Sequence, residues 1–135
     1  MRHDRAMPAQ LPCPCGSAHP YAGCCGRWHH GLAHLQAPDA LALMRSRYCA
    51  FVLERSDYLR DTWHPSTRPV DIGFEPGLRW LGLQIRQHSV IDDHRATVEF
   101  VARSKLGGRA QRLHEVSRFL RENGHWFYVD GDIKV

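Results

Sequence analysis

The sequence reads as an α+β chain, with a cysteine-rich segment first, helices next and an antiparallel sheet last. Three observations carry that reading. Four of the five cysteines, Cys13, Cys15, Cys24 and Cys25, crowd into a 13-residue stretch. Apolar residues then recur at three- and four-residue steps from Leu41 through Met44 and Tyr48 to Phe51, the period of a helix face. From Arg79 onward apolar and polar residues alternate, with Gly107-Gly108 and Asn123-Gly124 as turn signals. Helices followed by strands with short turns imply an antiparallel meander with its helices on one face.

The elements follow in order. Residues 1–10 are polar and aperiodic, so a disordered tail is expected. Residues 11–35 are rich in Cys, Gly, His and Pro, and too short to bury a core without a staple. Residues 36–135 hold the α+β domain. Asp39, after Pro38, is placed to cap the first long helix, and Ser56-Asp57 to start a second that Pro65 ends. Strands are expected over 79–88, 95–103, 112–121 and 126–131. In the first, Leu81, Leu83 and Ile85 share the buried face; in the second, Ala96, Val98, Phe100 and Ala102 do.

Composition narrows the function classes. The 135 residues are 43% hydrophobic and 24% charged, as in ordinary globular proteins and unlike disordered ones. No apolar run approaches the roughly 18 residues of a membrane span. No apolar segment follows Arg2 and Arg5, so no signal peptide is expected and the cytoplasm is the expected compartment. Lysine occurs only at Lys105 and Lys134, so the net charge of +4 is carried by arginine, whose planar fork suits phosphates and carboxylates.

The cysteines read Cys-Pro-Cys, eight residues, then Cys-Cys. Without an export signal this spacing favours metal over disulfides. Cys13, Cys15, Cys24 and Cys25 are therefore the expected ligands of one metal site, most simply a structural zinc, because four thiolates fill a tetrahedron and leave no position for water. His19, His29 and His30 are alternative donors in place of Cys25, and disulfides or free thiols are the other alternative. Cys49, on the first long helix, reads as a small buried hydrophobe. Removing the metal should then unfold residues 11–35 and leave residues 39–135 folded.

CPCGS followed by CC resembles the SEC-C zinc motif. CPCGSAHPYAGCC together with LMRSRYCAF, TWHPSTR, WLGL and SRFLRENGHWFYVDG resembles the YchJ-like family of uncharacterised bacterial proteins, from Leu11 to Gly131. The resemblance implies a SEC-C zinc module joined to a nuclear transport factor 2-like (cystatin-like) domain, a cone of helices on a curved sheet. It implies Cys13, Cys15, Cys24 and Cys25 as zinc ligands and names no reaction.

Such cones often enclose a pocket, and Arg47, Tyr48, Trp63, His64, Glu99, Glu115 and Arg118 are the candidate residues for it. Glu115 and Arg118 interrupt an apolar alternation, and an Arg–Glu pair is their simplest structural explanation. His64, Glu99 and Asp130 are the general-base candidates for an isomerase- or dehydratase-type site, but no spacing singles out a nucleophile or a carboxylate dyad. Trp28, Trp63, Trp80 and Trp126 read as packing residues. The leading expectation is a non-enzymatic, zinc-binding adaptor for a protein or ribonucleoprotein partner. A small-molecule pocket is the alternative, and RNA or ribosome binding a weaker one. The sheet also leaves a homodimer open.

Overall fold

The structure, a computed structural model of the chain, describes residues 10–135. The expected tail at 1–10 thus lies, apart from Gln10, outside the described residues. A loop closed by a bridge between Pro12 and Pro20 leads through a 3-10 turn at Tyr21–Gly23 into the short helix α1 (Gly26–His29). After a second 3-10 turn come α2 (Ala40–Val52) and α3 (Ser56–Asp61). Four strands follow: β1 (Arg79–Val90), β2 (Arg95–Leu106), β3 (Arg109–Glu122) and β4 (His125–Ile133). They pair antiparallel in sequence order. The turn residues explain the order: Gly107, Gly108, Asn123 and Gly124 all take positive φ, as two-residue hairpin loops of the primed type require.

The helices start and stop for local reasons. The Asp39 carboxylate accepts the Ala42 N–H at 2.7 Å, satisfying one of the free donors of the first turn of α2. The expected cap of α3 is displaced: Ser56 is its first helical residue, and Arg55 occupies the cap position without a side-chain bond. The Thr62 hydroxyl donates to the Tyr58 carbonyl at 2.6 Å and helps close its last turn.

Two patterns differ from expectation. The stripe on α2 is wider than the residues 41, 44, 48 and 51, because Leu43, Ser46, Arg47, Cys49 and Ala50 are buried as well. The sheet covers one side of this helix and the cysteine segment another. In β1 the register slips between Trp80 and Gly82. A bulge of this kind reverses the in–out alternation, so Leu81 is 54% exposed while Trp80, Leu83 and Ile85 pack on the core. The alternation in β2 holds, with Ala96, Val98, Phe100 and Ala102 all buried.

One continuous core results. It runs from Cys13, Cys15, Cys24 and Cys25 through α2 and α3 to Val98 and Phe119, with Trp28, Trp80 and Trp126 packed against it. The cysteine segment and the α+β domain therefore share a core. Among the described residues no helix is long and apolar enough to cross a membrane.

The contact between α1 and the turn before it leaves no space for a methyl group. A Cβ on Gly26 would stand 2.7 Å from the Tyr21 carbonyl oxygen and 2.9 Å from its ring. Gly26→Ala should destabilise the fold by about 1–3 kcal/mol, read as a lower urea midpoint at unchanged slope.

Candidate metal centre and cavity

The cysteine loop is shaped by its own backbone. The Cys13 N–H donates to the His19 carbonyl at 2.9 Å, and the Gly16 N–H to the Cys13 carbonyl at 3.1 Å. Gly16 sits at φ +82°, a conformation that costs glycine little. Arg45 of α2 donates to the Cys15 carbonyl at 3.0 Å and ties the loop to the helix. Cys25 stands at the N-cap of α1.

Four buried sulfurs, those of Cys13, Cys15, Cys25 and Cys49, lie within 4.8 Å of one another. Cys13 and Cys49 approach to 3.4 Å. Tetrahedral zinc–thiolate bonds of about 2.3 Å place sulfurs about 3.8 Å apart, so the set suits one soft metal ion. Cys49 is not the isolated hydrophobe that its position suggested, because α2 carries it into the loop. Cys24 lies outside this group, with its sulfur 3.6 Å from that of Cys15 and 3.1 Å from the Ser17 hydroxyl.

Of the histidine alternatives, His19 and His30 are exposed, and His29 is otherwise engaged. The His29 Nε2 meets the Ser46 carbonyl at 2.8 Å. A carbonyl only accepts, so Nε2 carries the proton, and Nδ1 accepts from the Tyr21 hydroxyl at 2.7 Å. Both ring nitrogens are thus used. Within the thiol group, Cys15 is held well below the ordinary thiol value by hydrogen bonds from Cys13, Cys25 and Cys49. Sharing with Cys13 and Cys15 pushes Cys49 up. A cation would replace these shared protons and let all four sulfurs ionise.

On the sheet side of α2 lies a second feature, a cavity of about 260 Å³ lined mainly by aromatic and apolar residues. Arg47, Tyr48, Trp63 and Glu115 of the expected set line it, as do Ser117 and Tyr128. Arg47 is 4% exposed. Its Nη1 donates to the Leu59 carbonyl at 2.8 Å and to the Thr62 hydroxyl at 2.7 Å. Its guanidinium lies over the rings of Trp63 at 5.0 Å and Tyr128 at 4.6 Å. Burial pulls Arg47 down to about 10, so it stays charged at neutral pH. Glu115, in the same lining, accepts from the Ser117 hydroxyl at 2.6 Å, and its charge favours that of Arg47.

The other three expected residues lie elsewhere. Arg118 has the opposite strand parity from Glu115 and Ser117. It faces out and pairs with Asp130 at 2.6 Å and Asp132 at 2.7 Å. Glu99 is out of phase with Val98 and Phe100, and binds His114 at 2.7 Å. The His64 Nδ1 bonds Ser66 at 2.6 Å, with its Nε2 2.9 Å from Glu122. The general-base candidates His64, Glu99 and Asp130 are thus all absent from the cavity lining. Arg118 does meet a carboxylate, but that carboxylate is not Glu115.

A four-stranded meander under helices, with a cysteine loop docked on its core, defines a nuclear transport factor 2-like domain carrying a SEC-C-type cysteine motif. The family model described as "YchJ, middle NTF2-like domain" matches residues 39–131, and the chain belongs to that family. The UPF0225 protein of Bordetella pertussis is 56% identical to it, over 99% of this chain and all of that protein. The UPF0225 protein of Methylibium petroleiphilum is 62% identical, over 95% and 93% of the two chains. Among solved structures, a SEC-C motif containing protein from Rhodopseudomonas palustris superposes with a TM-score of 0.78 at 34% identity, covering 93% of this chain and all of that one. One from Psychrobacter arcticus gives 0.77 at 26% identity, covering 94% and 85%.

Burial lowers the pKa of His29 from 6.5 to about 4. The unfolded chain takes up this proton first, so the His29 contribution to stability is constant above pH 6.5 and declines as pH falls towards 4. An NMR titration of the histidine rings should place the His29 midpoint near 4.

Proposed function

We propose that this protein binds a small ligand in the cavity of its α+β domain, with a zinc ion as a structural staple beside it. Arg47 carries this reading. A buried guanidinium gives up much of its hydration, and Nη1 reaches only neutral acceptors. Among the described residues no carboxylate is in ion-pair contact with Arg47. The Trp63 indole N–H is buried on the same wall and has no acceptor among the described residues. An anionic ligand oxygen would pair with the guanidinium. The aromatic lining suits a planar, apolar body, and Glu115 in the same lining is a hydrogen-bond acceptor. The volume is near or below the lower end of the usual ~300–1,000 Å³ range for ligand pockets, so the ligand class is a small aromatic carboxylate. This reading stands ahead of the adaptor expected from the sequence, because the aromatic residues of the cysteine segment, Tyr21 and Trp28, lie in or against the core instead of standing free. Zinc is inferred from the all-thiol donor set and from the likeness to SEC-C motif proteins.

Small aromatic carboxylates should raise the melting temperature of the wild type. Arg47→Met should weaken that binding roughly ten- to a hundredfold, the equivalent of about 1.5–3 kcal/mol for a hydrogen bond to a charged group. If Arg47→Met is poorly folded, Trp63→Phe tests the same wall and should weaken binding by a smaller factor. No shift with any such compound at millimolar concentration, or equal binding by both variants, defeats the reading. Elemental analysis of the purified chain should also find one zinc per molecule, and chelation should lower the melting temperature.

A further inference from the structure

We propose that Cys49 of α2 is the fourth ligand of the metal and that Cys24 is not a ligand, so the ion bridges the cysteine loop to the α+β domain. The proposal rests on the inference that the cluster holds a metal, and adds which sulfurs hold it.

The geometry separates two neighbours that the sequence makes equivalent. Cys25 is at the N-cap of α1, with helical dihedrals of φ −65° and ψ −27°, and its sulfur joins the four-membered group. Cys24 has φ −123° and ψ −116°; its sulfur lies 3.6 Å from that of Cys15 but outside the set of four that are all mutually close. The Ser17 hydroxyl, which accepts the His19 N–H at 3.2 Å, lies 3.1 Å from the Cys24 sulfur. Burial follows the same division: Cys15, Cys25 and Cys49 are at most 2% exposed and Cys13 4%, while Cys24 is 8% exposed. A closed, structural thiolate site favours the four most enclosed sulfurs. Arg45, one turn before Cys49 on α2, donates to the Cys15 carbonyl and has its Nη1 3.8 Å from the Cys15 sulfur. It fixes the loop over the helix at the height where Cys49 emerges.

Coordination by Cys49 changes what the metal holds together. A set confined to residues 13–25 would close a short loop and act locally. With Cys49 included, the ion links two segments separated by 36 residues and restrains the helix that carries Arg47 and Tyr48. Metal loss should therefore destabilise the whole domain, in contrast to the local unfolding that the sequence suggests.

The test uses the full chain with cobalt(II) replacing zinc, because the sulfur-to-cobalt charge-transfer band scales with the number of thiolates bound. Wild type should bind one equivalent with a four-thiolate spectrum. Cys24→Ser should keep both stoichiometry and band. Cys49→Ser should lose about a quarter of the band intensity, one thiolate of the four, and bind at least roughly tenfold more weakly. If Cys49→Ser fails to fold, Cys24→Ser alone decides: an undiminished band supports the assignment, and loss of a quarter overturns it. A wild type that binds no cobalt or zinc overturns the metal reading itself, and this assignment with it. The small-ligand reading of the cavity is tested separately and survives either result.

Discussion

Helix α2 has to satisfy two unlike partners at once, and the rest of the fold is arranged around that constraint. One side of it carries Met44, Arg47, Tyr48 and Phe51 into the cavity against the sheet. Another carries Cys49 into the thiol group and offers Arg45 to the loop. Successive residues turn by about 100° around a helix, so positions 47 and 49 point to widely separated sides. A helix buried nearly all round lacks the clean apolar stripe of a surface helix, and here the polar residues are satisfied locally. Ser46 donates to the Leu43 carbonyl and meets the Tyr58 hydroxyl at 2.7 Å.

The cavity depends on how α3 and β4 meet. The Tyr128 N–H donates to the Thr62 carbonyl at 2.9 Å, and the His64 N–H to the Tyr128 carbonyl at 2.7 Å. This short parallel bridge sets Trp63 beside Tyr128, with ring centres 5.1 Å apart. Arg47 lies against both rings. A cation on two aromatic faces recovers part of its lost hydration, and the charge of Glu115 favours the guanidinium without an ion-pair contact. Gly131 of β4 belongs to the same construction, because the Glu115 side chain occupies the space where a Cβ would stand.

Much of the fold was legible in the sequence because its signals are local. Asp39 caps where a cap was expected, and two of the three hairpin turns fall on residues that take positive φ. A cysteine cluster able to hold a metal was equally visible in four cysteines close together. The bulge at Trp80 was not, because the slip reflects how β1 pairs with β2, and neither strand carries that information alone. The cavity was legible in part. Alternation along β3 puts Glu115 inside, and Arg118, three positions on and of opposite parity, faces out.

The sequence by itself determined the order of elements, the turns and the kind of chemistry that a cysteine-rich segment offers, since each depends on residues within a few positions of one another. Only the tertiary structure decided which sulfurs meet. Cys24 and Cys25 are adjacent and look alike, yet the Cys25 sulfur joins the group while that of Cys24 stays at its edge, between Ser17 and Cys15. Cys49 is 36 residues from Cys13 and comes within 3.4 Å of it. Convergence of that kind depends on how α2 packs between loop and sheet, and no local spacing encodes it.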